Sequence, residues 1–243
     1  MKPARFLVVA GLDLLLPENC PLCGCDLAIA DGNTVGCAHC LARVPAVERF
    51  CARCSAPVGP HLNTVKGCGH CRNDRFAFDG VVAAAEYRDI MRDAVLAAKR
   101  AGGAATAGWL ADRLWERRSS ELLKLRIDLV VPVPQHWLRR VVAPHNSAEL
   151  IARRLATRLK TRSDRHILVK RRRTPRQAGL IPSARRKNLR SAFIATRPLH
   201  GSRVLLVDDV LTTGTTADRA ARALRDAGAE HVSVAVAARG IGV

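Results

Sequence analysis

The segment Val204–Thr216, reading VLLVDDVLTTGTT, constrains what this chain can fold into more than any other stretch. Val204–Val207 is a continuous apolar run, the pattern of a strand buried on both faces, and such strands belong to parallel sheets covered by helices. Two consecutive carboxylates, Asp208 and Asp209, follow at the carboxyl edge of that strand, where α/β folds bind ligands. Adjacent acids repel each other and cost stability. They suit the two vicinal hydroxyls of a ribose, met directly or through Mg²⁺. Thr212, Thr213, Gly214, Thr215 and Thr216 then supply hydroxyl donors, a glycine that lets the backbone turn, and N–H groups opening a helix. Together they make a cradle for a phosphate dianion.

The flanking sequence supports an α/β fold. Val81–Tyr87, Asp128–Val133, Ile167–Val169, Arg203–Val207 and His231–Ala237 read as strands. Helical spacing covers Ile90–Arg100, which ends at Gly102-Gly103, a stretch from about Thr106 to Lys124, then Ser147–Leu159 and Thr215–Ala227. Strands alternating with helices imply a parallel sheet with helices on both faces. An aromatic content of 4% fits a core of small aliphatic side chains. The chain of 243 residues fits one large domain or two modest ones. Composition changes abruptly near Arg75–Asp79, so residues 1–75 are read as a short N-terminal helix with a small Cys-rich module, and 76–243 as the α/β domain.

All nine cysteines lie before residue 72, and eight of them form CxxC pairs: Cys20/Cys23, Cys37/Cys40, Cys51/Cys54 and Cys68/Cys71. Each set has 13 residues between its two knuckles. Thiolates two residues apart bite one tetrahedral ion, and two knuckles close a four-cysteine site, so two structural Zn²⁺ ions are expected. The favoured role is a fold staple without chemistry. Spacing leaves cross-braced pairing between the sets open, and His39 or His70 could replace a thiolate. Cys25 is the odd thiol. The apolar N-terminal stretch is interrupted by Asp13, lacks a small-residue cleavage site and is too short to span a bilayer. With reduced, metal-type cysteines, the expectation is a cytoplasmic protein without a transmembrane segment.

The formal net charge is +19, and 15 Lys/Arg against the single acid Asp164 fall between Arg153 and Arg190. That concentration points to a polyanionic partner, against the plainer reading of solvated basic helices.

Val204–Thr216 matches position for position the signature of the type I phosphoribosyltransferases: four apolar residues, two acids, a Thr-rich turn. The chain as a whole resembles the ComF family, competence-associated phosphoribosyltransferase-like proteins with an N-terminal double zinc ribbon. The likeness runs from LDLLLPENCPLCG through the knuckles and VPVP to VDDVLTTGTT. It implies a type I phosphoribosyltransferase-like fold that binds phosphoribosyl diphosphate (PRPP) or a nucleotide with Mg²⁺. Asp208 and Asp209, the catalytic candidates, would hold the ribose hydroxyls, and Thr212–Thr216 the 5-phosphate. The loop after the first core strand, at Val133 and Pro134, would contact the diphosphate, although a Pro-stiffened turn explains it equally. RRRTPRQAGLIPSARRKNLRSAF resembles a family segment, mapping onto Arg173, Thr174, Gln177, Leu180, Arg186 and Asn188. It lies where such enzymes carry a mobile catalytic loop, whose guanidinium groups could neutralise diphosphate or track a nucleic-acid backbone. Where the family reads an Arg-Gly-aromatic-Asn-Gln run, this chain has Ala143-Pro144-His145-Asn146-Ser147, and only Asn146 survives.

Three functions follow from the resemblance. One is a PRPP-binding protein of DNA uptake or processing, with a basic surface for single-stranded DNA and the uptake machinery as a partner. The second is an active phosphoribosyltransferase that moves ribose 5-phosphate to a base or amine and releases pyrophosphate. The third is a PRPP-sensing regulator.

Overall fold

The computed structural model describes residues 19–27, 36–135, 146–170 and 192–241. The expected N-terminal helix, and Arg173, Gln177 and Arg186, lie outside them. After a short helix α1 (Ala38–Ala42), the chain runs β1 (Gly80–Glu86), α2 (Asp89–Ala98), α3 (Ala104–Lys124), β2 (Leu129–Pro132), α4 (Ser147–Leu159), β3 (Arg162–Ser163), β4 (Leu168–Lys170), β5 (Phe193–Ala195), β6 (Arg203–Leu211), α5 (Thr215–Asp226) and β7 (His231–Arg239).

β1, β7, β6, β2 and β3 form one sheet in that order, every pairing parallel. β6 is central. Its side chains alternate: Leu205 and Val207 join a core cluster with Met91 and Val95 of α2, Trp109 and Leu114 of α3, and Ile151 and Leu155 of α4. Val204 and Leu206 join the opposite cluster with Ala220 and Leu224 of α5. A strand buried on both faces has no polar side to offer, which is why its sequence is unbroken valine and leucine. Burying a leucine side chain contributes roughly 1.5–3 kcal/mol, so β6 alone pins both layers.

Two of the expected strands differ from the sequence reading. β6 does not stop at Val207. Its ladder with β7 continues through Asp208↔Val236 and Val210↔Ala238 to Leu211↔Arg239, so both acids stand within the strand. Backbone pairing to a long neighbour outweighs the poor strand propensity of aspartate. The strand expected at Ile167–Val169 belongs to a separate antiparallel pair, β4 with β5, which packs on the α5 face through Leu168 and Phe193. Among the described residues, no helix is long and apolar enough to cross a membrane.

The cysteine-rich segments are docked on the sheet domain. Cys20, Cys40 and Val44 belong to the same core cluster as α2, α3 and α4. Thr106 Oγ1 donates to the Pro21 carbonyl at 3.1 Å, and Arg117 Nη1 to the Pro45 carbonyl at 2.7 Å. Farther along, buried Ser55 inserts its hydroxyl at the edge of β1, donating to the Val81 carbonyl at 2.8 Å and accepting from Ala83 N–H at 3.2 Å.

Candidate functional site: a Thr-rich loop beside a split acid pair

The turn after β6 is built around Gly214, the residue preceding α5, which sits at φ +77°. A Cβ there would lie 3.1 Å from Phe76 Cε1, so both conformation and space call for glycine. Gly214 is buried, whereas Thr212, Thr213, Thr215 and Thr216 around it are exposed. Thr213 and Thr215 share a 3.0 Å contact between their hydroxyls. The first-turn N–H groups of a helix lack intrahelical partners and carry its positive end, so the exposed threonine hydroxyls stand beside amides that can receive an anion.

The structure treats the two acids differently. Asp209 is 6% exposed and turns to the face of α2 and α4. Its Oδ1 lies 3.0 Å from Lys99 Nζ, and its Oδ2 accepts from Ser147 Oγ at 2.7 Å. Strand alternation sends Asp208 to the opposite face, partly exposed, with Oδ1 accepting from Asp209 N–H at 2.9 Å. Burial, and next the charge of Asp209, push the Asp208 carboxyl up to about 7, against the opposing pull of that N–H bond and of Lys99. A carboxyl poised near neutrality takes up or gives a proton, and turns to its ionised form beside a cation.

Val133 and Pro134 follow β2, the strand adjacent to β6. Asn146 ties this turn down: its Nδ2 donates to the Val133 carbonyl at 3.1 Å while its Oδ1 caps α4 by accepting from Ala148 N–H at 3.1 Å. The one residue kept from the family run is therefore a brace between the turn and α4.

Sequence reasoning missed Lys99, Ser147 and Arg239. A signal existed for Lys99: Met91, Val95 and Lys99 fall four apart on the buried stripe of α2, and a cation there needs a partner. Arg239 likewise ends a strand whose preceding positions are nearly all apolar, and it is buried. For Ser147 nothing in the sequence stood out.

The eight CxxC cysteines assemble as Cys20, Cys23, Cys37 and Cys40, and as Cys51, Cys54, Cys68 and Cys71, each set with its sulfurs within 4.8 Å of one another. Cross-bracing between the sets is thereby ruled out. A tetrahedron with Zn–S near 2.3 Å has sulfur–sulfur edges of about 3.8 Å. The separations Cys23–Cys37 at 3.6 Å, Cys54–Cys68 at 3.6 Å and Cys51–Cys71 at 3.8 Å fit that figure. Both sets suit a structural zinc ion, with His39 and His70 exposed outside them.

Of the 15 clustered cations, Arg153, Arg154, Arg158, Lys160, Arg162, Arg165 and Lys170 are described, and all are exposed. Arg153 and Arg165 meet Glu149, while Arg154 and Arg158 meet buried Asp112 of α3. Counting acids along the chain overstated the unpaired charge, because these carboxylates come from outside the counted window.

A phosphoribosyl transferase domain model matches residues 137–241, and a double zinc ribbon domain model matches residues 11–72. A protein from Salmonella typhi named DNA utilization protein YhgH is 29% identical over 230 residues, covering 91% of this chain and 96% of that one. Competence protein F of Haemophilus influenzae is 27% identical over 223 residues, covering 89% and 94%. A solved purine phosphoribosyltransferase from Pyrococcus horikoshii aligns at 20% identity with a TM-score of 0.33, over 52% of this chain and 70% of that one.

Proposed function

The chain belongs to the ComF family, and from that premise we propose that it is a cytoplasmic PRPP-binding protein of DNA uptake or processing, with a basic surface for single-stranded DNA. In this reading residues 76–243 hold the ligand and residues 1–75 carry two structural zinc ions. The observation that carries it is the loop itself: four exposed threonines around a left-handed Gly214, at the start of α5, next to a partly exposed carboxyl. The loop takes the 5-phosphate and Asp208 faces the ribose. Asp209, held by Lys99 and Ser147, fixes the strand beneath. Mg²⁺ bound with PRPP would neutralise diphosphate charge, and Asp208, a hard oxygen donor with no lysine partner among the described residues, suits such an ion.

Calorimetry tests the ligand. Mg²⁺-dependent PRPP binding is expected in the wild type and its loss in an Asp208→Asn/Asp209→Asn double variant. Unchanged affinity in that variant would sink the assignment. The DNA half rests on the basic segment, where Arg153 and Arg165 pair with Glu149 at the surface while Arg154 and Arg158 are committed to buried Asp112. Exposed pairs contribute only about 0–1 kcal/mol, so Arg153 and Arg165 remain open to phosphate. Binding should be independent of base sequence, with a log–log salt slope near −3.5 if about five single-strand phosphates are neutralised. Replacing Arg171, Arg172 and Arg173 with Ala should flatten that slope without weakening PRPP.

One observation favours turnover as a second reading. A carboxyl at about 7 beside the ribose position can relay a proton during phosphoribosyl transfer to a base or amine. Pyrophosphate release in the presence of an acceptor, abolished by Asp208→Asn, would support the enzyme. If the arginine triple variant lost turnover and kept its DNA slope, those arginines would serve catalysis instead.

A further inference from the structure

The second four-cysteine site does not stand apart from the phosphate loop. Arg239, at the end of β7, is 6% exposed and joins the two. Its Nε donates to the carbonyl of Cys54, a zinc ligand, at 2.9 Å. Its Nη1 donates to the carbonyls of Leu211 and Thr212 at 3.0 and 2.5 Å, and also reaches that of Gly240. A buried guanidinium needs hydrogen-bond partners, and here Nε and Nη1 find theirs in backbone carbonyls of the zinc module and of the loop. No carboxylate takes part in these bonds, so the geometry of the guanidinium depends on where those two backbones sit.

A second bridge is apolar. Phe76 packs against the cluster of Cys51, Cys54, Cys68 and Cys71 and also against Gly214, whose absent side chain leaves the ring its place. Just beyond it, Ala77 N–H donates to Asp218 Oδ1 in the first turn of α5 at 2.7 Å. Between module and loop lies a cavity of about 170 Å³ bordered by His70, Asp74, Phe76, Thr212, Thr213 and Arg239. The first cysteine site is placed elsewhere, its contacts being with α3.

We propose that Arg239 is a positioning residue for the phosphate loop, and that metal in the second four-cysteine site sets the loop's affinity for a 5-phosphate through it. This rests on the phosphoribosyl-binding reading above. Zinc fixes the Cys51–Cys54 knuckle, the Cys54 carbonyl orients Arg239, and Arg239 holds the Leu211 and Thr212 carbonyls so that the threonine hydroxyls face one point. The coupling is reciprocal: whatever orders the loop must also tighten the knuckle.

The test uses the full chain with both zinc ions bound and ribose 5-phosphate as the probe. Arg239→Met should keep two zinc ions by metal analysis yet bind ribose 5-phosphate at least tenfold more weakly, with Arg239→Lys in between. A zinc-replete Arg239→Met protein that binds within twofold of wild type overturns the proposal. Since that variant could fail to fold, a second measurement uses wild type alone. Saturating ribose 5-phosphate should slow transfer of one of the two zinc ions to a chromogenic chelator, and equal rates with and without it overturn the proposal as well. A wild type that does not bind ribose 5-phosphate at all would refute the ligand reading and this coupling together. A wild type that binds while neither test detects coupling would refute the coupling alone.

Discussion

Replacing Lys99 with methionine isolates the electrostatics beneath the loop. The ammonium lies 3.0 Å from a carboxylate that is almost fully buried, while the lysine side chain is 28% exposed. Removing one partner of a fully buried pair costs about 3–5 kcal/mol, and an exposed pair contributes about 0–1 kcal/mol. Water reaches the vacated lysine side, and Ser147 still donates to Asp209 at 2.7 Å. A cost of about 2 kcal/mol follows, between those limits. Methionine keeps the apolar stem, so lost packing does not confuse the result. For a chain of this size that corresponds to a fall in Tm of roughly 4–8 °C. Urea denaturation of Lys99→Met, Asp209→Asn and the double variant completes a cycle. The double variant should recover most of the loss, because a neutral amide no longer needs the ammonium. Lys99→Met within about 0.5 kcal/mol of wild type, or strictly additive costs in the double variant, would refute this account.

Two more outcomes follow from the same edge. The Asp208 carboxyl, held at about 7 when folded and near 3.8 otherwise, stays protonated in the folded chain across that interval. Wild-type stability should therefore fall as pH rises from about 4 to 7 and level off above, a slope that Asp208→Asn removes, as urea midpoints measured at several pH values would reveal. Gly214→Ala places a methyl at φ +77° against Phe76, and should cost about 1–3 kcal/mol and weaken ribose 5-phosphate binding, with a midpoint shift near zero counting against the assigned turn.

The parallel sheet was legible because a strand buried on both faces leaves an unbroken apolar run, as at Val204–Val207 and Leu129–Val131. The end of β6 was not, since two aspartates break the apolar pattern while the backbone ladder to β7 carries on past them. β5 escaped notice because three residues, Phe193–Ala195, carry too little periodicity, and its partner β4 lies across the arginine-rich segment. Cysteine spacing supplied the knuckles, yet only tertiary placement could decide which pairs share an ion. The turn after β6 was readable because a glycine between threonines suits a left-handed backbone at the head of a helix, as Gly214 shows. Lys99, Ser147 and Arg239 reach the site from other elements, and sequence order does not report which helix end or strand end meets which.

The split acid pair explains how this edge tolerates its own charge. Neighbouring carboxylates in a largely buried strand repel in a medium of low dielectric, and both could not stay ionised unaided. The fold resolves this asymmetrically. Lys99 and Ser147 hold Asp209 on one face, whereas Asp208 on the other has no lysine partner among the described residues and rises towards neutrality. A cation arriving beside Asp208 would convert it to the ionised form and release a proton, so cation affinity should strengthen as pH rises through 7. Were Lys99 placed at Asp208 instead, that carboxyl would already be neutralised and little drive would remain for a cation. The position of one lysine, at the end of α2, thus decides which acid is held within the fold and which stays without that partner.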